Sequence, residues 1–276
     1  MSSAPLSETE TIPVEKGTWR RYTFAQRAAR FMIWFVIVTA IVAAGRSVEV
    51  IPEFLADAPE QIADLLKRMW PPAVGYYPKG IHDALIETLH IASLGTILAI
   101  LMAVPFGLLV ARNVTPNRFI NFLAKLVLVS SRSVNSLVWA LLFVGIFGPG
   151  ALAGTLAIAF RSIGFIGKLM GEAIEEAHKG SIEALQATGA SKGAEIWYGY
   201  WPQIKPAFWS VVLLRWDINV RESAVLGLVG AGGIGMVMDS AQNLFQWDRV
   251  AMVLVAIFAV VVIAEVVITQ IRKQMI

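Results

Sequence analysis

Residues Glu183 to Pro206 read EALQATGASKGAEIWYGYWPQIKP, the longest polar interruption between two strongly apolar regions in the C-terminal half. Ser181 suits a helix N-cap with Glu183 in the first turn, and Gly189 suits the position just past a helix end. Ser191 suits the cap of a second short helix that Pro202 ends, and Pro206 suits the first turn of the helix that follows. The spacing predicts helix, turn, helix, lying outside a bilayer between two spans. Trp197, Tyr198, Tyr200 and Trp201 fit the aromatic belt of a membrane surface.

Composition supports that setting. The chain has 276 residues, 57% of them hydrophobic and only 16% charged. A soluble domain of this length rarely carries so few charges, so the class is a polytopic, all-α membrane protein. Cysteine is absent, which excludes disulfides and thiolate metal sites. His82, His90 and His178 are too scattered for a metal site, and no cofactor is expected.

Six spans are predicted. The first is 28–50 and the second 86–111, with Pro105-Phe106-Gly107 expected to kink it. The third lies within 119–147, which is too long for one upright span at about 1.5 Å per residue. Its polar middle, Ser130 to Ser136, implies either a strong tilt or an interfacial elbow. The last three are 151–173, 207–229 and 250–271. Three regions follow: a mobile segment 1–27, a first span with an external loop over 28–84, and a transmembrane core over 85–276 carrying the loop 181–206. Within 28–84 the apolar spacing of Ile62, Leu65, Leu66 and Met69 predicts an amphipathic surface helix from Pro59 to Trp70. An even number of spans puts both termini on one side. Arg20, Arg21, Arg27 and Arg30, the Arg112 to Arg118 turn, the 181–206 loop and the Arg272-Lys273 end then share that side, the cytoplasmic one by the positive-inside rule.

Gly230-Ala231-Gly232-Gly233-Ile234-Gly235 is a literal G-x-G-x-x-G. It lacks the repeated βαβ setting of a dinucleotide site. A close helix crossing or gate at Gly230, Gly232, Gly233 and Gly235 fits better, because small residues let backbones approach. No G-x-x-x-x-G-K-[ST] pattern occurs, so ATP chemistry by that route would need a separate subunit. No Ser/His/Asp set or paired-carboxylate site stands out, and an enzymatic role is not expected.

The charges inside spans carry the sharpest functional signal. Each costs roughly 2.5–3.5 kcal/mol on insertion scales, so such residues usually face a pathway or a partner. Arg132, Asn135, Arg161, Arg215, Asp217, Asn219 and Arg221 are the candidate pathway residues. Asp217 and Arg221 are four apart and Arg215 and Glu222 seven apart, so each pair shares a helix face and can neutralise itself. Lys168 can snorkel to the interface.

Glu183-Ala184, Gly189-Ala190-Ser191 and Pro202 resemble the EAA coupling loop of ABC-importer permeases. From about Leu85 onward the chain resembles the phosphonate branch of that family, which includes phosphite and hypophosphite systems. The resemblance is carried by Arg132-Ser133-Val134-Asn135, by Ile163 to Leu169, by Arg215-Trp216-Asp217-Ile218-Asn219-Val220-Arg221, and by Val225 to Gly235. It implies the type I importer fold, a homodimer of this chain in the inner membrane, a cytoplasmic ATPase dimer that binds ATP and Mg, and a periplasmic substrate-binding protein. Membrane lipid is a partner and nucleic acid is not. It further implies that Glu183, Ala184, Gly189, Ala190, Ser191 and Pro202 dock on the ATPase, and that the cargo is a small phosphorus oxyanion. An ion-coupled secondary transporter is the alternative, although no internal repeat of the kind it usually shows is visible. A membrane scaffold is a third class.

Overall fold

The computed structural model describes residues 22–47 and 52–275, and every regular element among them is helical. Of the expected mobile segment 1–27, residues 1–21 with Arg20 and Arg21 lie outside the described residues, as does the end of the first span at 48–50, whereas Phe24 to Arg27 already belong to the first helix. Two compact units divide at Gln61.

In the N-terminal unit, α1 (Phe24–Ser47) is apolar all round with no buried residue, as a lone membrane span is. The helix α2 (Pro52–Met69) starts two turns earlier than Pro59, which lies inside it. Pro52 at its start and Glu53 in its first turn are start signals as good as those at Pro59. Leu55, Ile62, Leu65 and Leu66 are exposed on it, as the amphipathic pattern requires.

The C-terminal unit is built on two parallel helices, α3 (His82–Val110) and α6 (Ala151–Glu175). Small residues set their closeness. A side chain at Gly95 would meet Ile158 at 2.7 Å, one at Gly107 would meet the Gly167 carbonyl at 3.2 Å, and one at Gly171 would strike Val110. This is small-residue packing of the kind membrane helices use in place of a hydrophobic drive. The helix α3 runs on through Pro105 as one element.

Between them in sequence come α4 (Arg118–Ser133) and α5 (Ser136–Phe147), bent by 91° at Val134-Asn135. The polar middle of this region is therefore a sharp corner. Asn135 caps α5, its Oδ1 accepting from Leu137 N at 3.2 Å, and Trp139 Nε1 donates to the Ser131 carbonyl at 3.3 Å across the bend. The helix α4 runs antiparallel along the second half of α6. Asn121 Nδ2 donates to the Val110 carbonyl at one end, and at the other Gly164 N donates to Ser131 Oγ at 3.2 Å.

After α6 come α7 (Lys179–Ala187), a helical turn α8 (Lys192–Ala194), a π-helical stretch Glu195–Tyr200, and α9 (Trp201–Leu226). A left-handed break over 230–233 leads into α10 (Ile234–Asn243), and α11 (Trp247–Met275) closes the bundle. Among the described residues, four helices are long and apolar enough to cross a membrane, and up to six if each bent pair counts as one span.

Candidate transport site and coupling loop

In the polar loop, α7 begins at Lys179 after His178. Ser181 is therefore not the cap expected of it. It sits inside the first turn, where its hydroxyl donates to the His178 carbonyl at 3.1 Å. Gly189 ends the helix as expected, at φ +76°, with Ala190 N reaching back to the Leu185 carbonyl at 3.2 Å. Ser191 caps the next turn, accepting from Ala194 N at 3.4 Å.

Pro202 does not end that second helix. Helical backbone continues from Lys192 through the π stretch into α9, and Pro202 stands in the first turn of α9. The extra residue per turn over 195–200 resets the hydrogen-bond register, so a new first turn begins at Trp201, where a missing amide hydrogen costs little. Pro206 consequently lies inside the helix and not at its start. The result is one continuous helical rod from the loop into the membrane core. Glu195, unmarked by any sequence pattern, locks the loop. It is buried and accepts from Gln186 Nε2 of α7 at 3.2 Å and from Lys192 Nζ at 3.0 Å. Glu183 and Ala184 lie exposed on α7.

Near the middle of the bundle a single hydrogen-bonded chain crosses four helices. Asn219 Nδ2 donates to Thr96 Oγ1 at 2.8 Å, and Ser162 Oγ donates to Asn219 Oδ1 at 3.2 Å. Arg215 Nε donates to Ser162 Oγ at 2.9 Å, and Arg215 Nη2 reaches Glu222 Oε2 at 3.2 Å. Arg161 Nη1 binds the other oxygen of Glu222 and also Ser136 Oγ at 3.2 Å. Arg132 of α4, Arg161 of α6 and Arg215 of α9 line one cavity of about 400 Å³. Arg215 is only 3% exposed, and among the described residues Arg132 has no ion pair. Glu222 thus offsets part of the charge of two arginines, and three guanidinium groups around one cavity leave a net positive site. Planar guanidinium groups with several donors match an oxyanion.

Of the expected pathway residues, the structure brings Arg132, Arg161 and Arg215 together. Asn219 belongs to the buried clamp behind them and Asn135 to the cap of α5. Asp217 and Arg221 sit elsewhere. Arg221 pairs with Asp217 and, at 3.0 Å, with Glu265 of α11. The expected self-neutralising pairs, Asp217 with Arg221 and Arg215 with Glu222, both form. Lys168 pairs with Glu172 at 3.2 Å on a half-exposed face.

The glycine-rich break packs at the opposite end from the loop. Gly230, Gly232 and Gly233 have φ of +84°, +85° and +73°. The Gly230 carbonyl accepts from Gly150 N at 2.8 Å, and Ile234 N donates to Thr88 Oγ1 at 2.8 Å. A side chain at Gly232 would meet the Ala151 backbone at 2.7 Å, and one at Gly235 would strike the Ala224 carbonyl. These glycines are a packed junction of α3, α6, α9 and α10.

A helical membrane bundle whose capped polar loop runs on into one span, with an open pocket lined by Arg132, Arg161 and Arg215, fits a transport subunit. Residues 103–275 match the family of binding-protein-dependent transport system inner membrane components. The chain belongs to that family. It is 35% identical to the phosphite transport system permease protein PtxC of Stutzerimonas stutzeri, covering 74% of each chain. It is 36% identical to the phosphate-import permease protein PhnE of Mycolicibacterium smegmatis over 85% of this chain, but spans only 44% of that relative's length. In structure it is similar to the MetNI methionine ABC transporter in an inward-facing conformation, with a TM-score of 0.62 at 20% identity over 71% of this chain and 96% of that one. A solved amino acid ABC transporter gives a TM-score of 0.60 at 19% identity, over 73% and 96%. These two likenesses confirm the type I importer fold.

Proposed function

We propose that this permease conducts a small phosphorus oxyanion, such as phosphite, phosphate or a phosphonate, inward through the arginine cavity in an ATP-driven cycle. The observation that carries this is the convergence of Arg132, Arg161 and Arg215 from three helices on one cavity, with Glu222 shared between two of them. The names of PtxC and PhnE supply the phosphorus chemistry. In this reading two copies of the chain pair in the inner membrane. A cytoplasmic ATPase dimer, which holds the ATP and Mg, grips α7 and its Gly189 turn. A periplasmic binding protein delivers the anion at the glycine-rich end. Both termini and the 181–206 loop are cytoplasmic.

Movement of the ATPases displaces α7, and the continuous helical backbone from Lys192 into α9 carries that displacement toward Arg215 and Glu222. The anion meets three cations, two of them already engaged by Glu222, so attraction is strong enough for entry and weak enough for release. An ion-coupled secondary transporter would need neither ATPase nor binding protein. Uptake into proteoliposomes holding the permease, the ATPase and the binding protein tests the reading. Phosphite, phosphate and methylphosphonate are supplied singly, with and without ATP. Accumulation of at least one of them only with ATP and the ATPase supports it. ATP-independent uptake, or uptake of none of the three, overturns it.

A further inference from the structure

Arg118, Lys125 and Arg132 are spaced seven residues apart on α4, so they fall on one stripe with rungs about 10 Å apart. The stripe borders the packed face formed by Asn121, Ala124, Leu128 and Ser131. Three cavities follow it. The central arginine cavity includes Arg132. A second, of about 250 Å³, is lined by Arg132, Lys125 and Lys168 and also by Glu172 and Glu175. A third, of about 530 Å³, is lined by Lys125, Arg118 and Arg112 and by no carboxylate. Each shares a cation with the next, Arg132 and then Lys125. The line ends beside the turn after α3, where Arg112 N donates to Glu175 Oε1 at 2.9 Å. That is the end of the bundle from which α7 leaves. Among the described residues, the side chains of Arg112, Arg118, Lys125 and Arg132 have no ion-pair partner.

We propose that this basic face of α4 is an oxyanion track, along which the anion passes from the arginine cavity to the loop side through successive sites at Arg132, Lys125 and Arg118. The proposal rests on the oxyanion reading above and adds to it a route and two residues, Lys125 and Arg118. Unpaired cations within a span, as Lys125 and Arg132 are on this reading, are expensive unless water or an anion reaches them. A phosphate oxygen from a phospholipid headgroup offers the same chemistry. The free anion is favoured because the pockets share Arg132 with the cavity that reaches the buried Arg215, where a lipid chain has no place. Glu172 and Glu175 beside the middle cavity keep the anion from settling there.

The test uses the assembled permease, ATPase and binding protein in nanodiscs and proteoliposomes, with whichever of phosphite, phosphate or methylphosphonate the wild type takes up best. Because the chain contains no cysteine, Lys125→Cys gives a single label site for a sulfonate-bearing methanethiosulfonate reagent. The track predicts that the transported anion slows this labelling equally in phosphatidylcholine and in phosphatidylglycerol-containing discs. It also predicts that Lys125→Gln and Arg118→Gln each lower uptake about fivefold or more, the scale of one partly screened charge, and that Lys125→Arg restores it. Labelling slowed by phosphatidylglycerol alone would assign the site to lipid and overturn the track, as would labelling indifferent to the anion. Should Lys125→Gln fail to assemble, the labelling result and the exposed Arg118→Gln decide the matter. Normal uptake by both neutral variants would sink the track and leave the oxyanion reading intact. Absence of uptake by the wild type would sink the oxyanion reading itself.

Discussion

Arg215 and Glu222 stand two turns apart on α9 and are joined at 3.2 Å. The second carboxylate oxygen of Glu222 is taken by Arg161, so one acidic side chain holds the charge of two helices in register. A carboxylate between two guanidinium groups occupies the place an oxyanion would take. Removing its charge should therefore raise the affinity of the cavity for anions while loosening the bundle.

Glu222→Gln is accordingly expected to lower the melting temperature of the purified permease by a few degrees without anion, since it leaves the buried Arg215 without its carboxylate partner. Added phosphite should stabilise this variant more than it stabilises the wild type, because a ligand bound only to the folded state adds stability. Thermal melts with and without phosphite read both effects. An equal phosphite shift in the two proteins would count against Glu222 as a built-in competitor.

At Gly189 the strain is purely in the backbone. Its φ is +76° and nothing lies within 4 Å of where a side chain would begin. Gly189→Asn should retain most coupling, since Asn tolerates this conformation, whereas a β-branched Gly189→Val should lose about 1–2 kcal/mol locally and distort the loop. Binding-protein-stimulated ATP hydrolysis by the assembled complex measures the difference, and equal activity in both variants would contradict it.

Glu195→Ala removes the brace between α7 and the start of the rod. Hydrogen exchange over 179–190 should quicken, while exchange in α3 and α6 should not change. Stimulated ATP hydrolysis should fall as the loop loses stiffness. Unaltered exchange in α7 would show that the hydrogen bonds from Gln186 and Lys192 are incidental.

Gly232 and Gly230 share a left-handed backbone but differ in their surroundings. A side chain at Gly232 meets the Ala151 backbone at 2.7 Å, while at Gly230 the nearest atom is 3.5 Å away. Gly232→Ala should thus be the more damaging of the two to folded yield and melting temperature, by about 1–3 kcal/mol for an overpacked contact. Comparable losses in both would place the whole effect in the backbone.

Much of this was legible in the sequence. Hydropathy located the first, second, fourth and sixth spans, and the caps at Gly189 and Ser191 followed from side-chain chemistry that acts locally. The i, i+4 and i, i+7 spacings correctly joined Asp217 to Arg221 and Arg215 to Glu222. What failed depended on register or on contacts between helices. Pro202 reads as a stop unless the π stretch before it is known, and a π stretch has no composition of its own. The bond from Glu222 to Arg161, the bond from Arg221 to Glu265, and the role of Glu195 all join different helices, which no local pattern encodes. The right-angle corner at Val134-Asn135 was visible only as an excess of length with a polar middle.

The most direct test is Arg132→Gln, because Arg132 lines the cavity without a carboxylate that its loss would orphan. In proteoliposomes containing the ATPase and binding protein, the ratio of oxyanion accumulated to ATP hydrolysed is compared with the wild type. We expect uptake to fall about tenfold or more, the loss of roughly 1.4 kcal/mol from the passage of the anion, while basal ATP hydrolysis persists. Wild-type accumulation by Arg132→Gln would contradict the arginine cavity as the route.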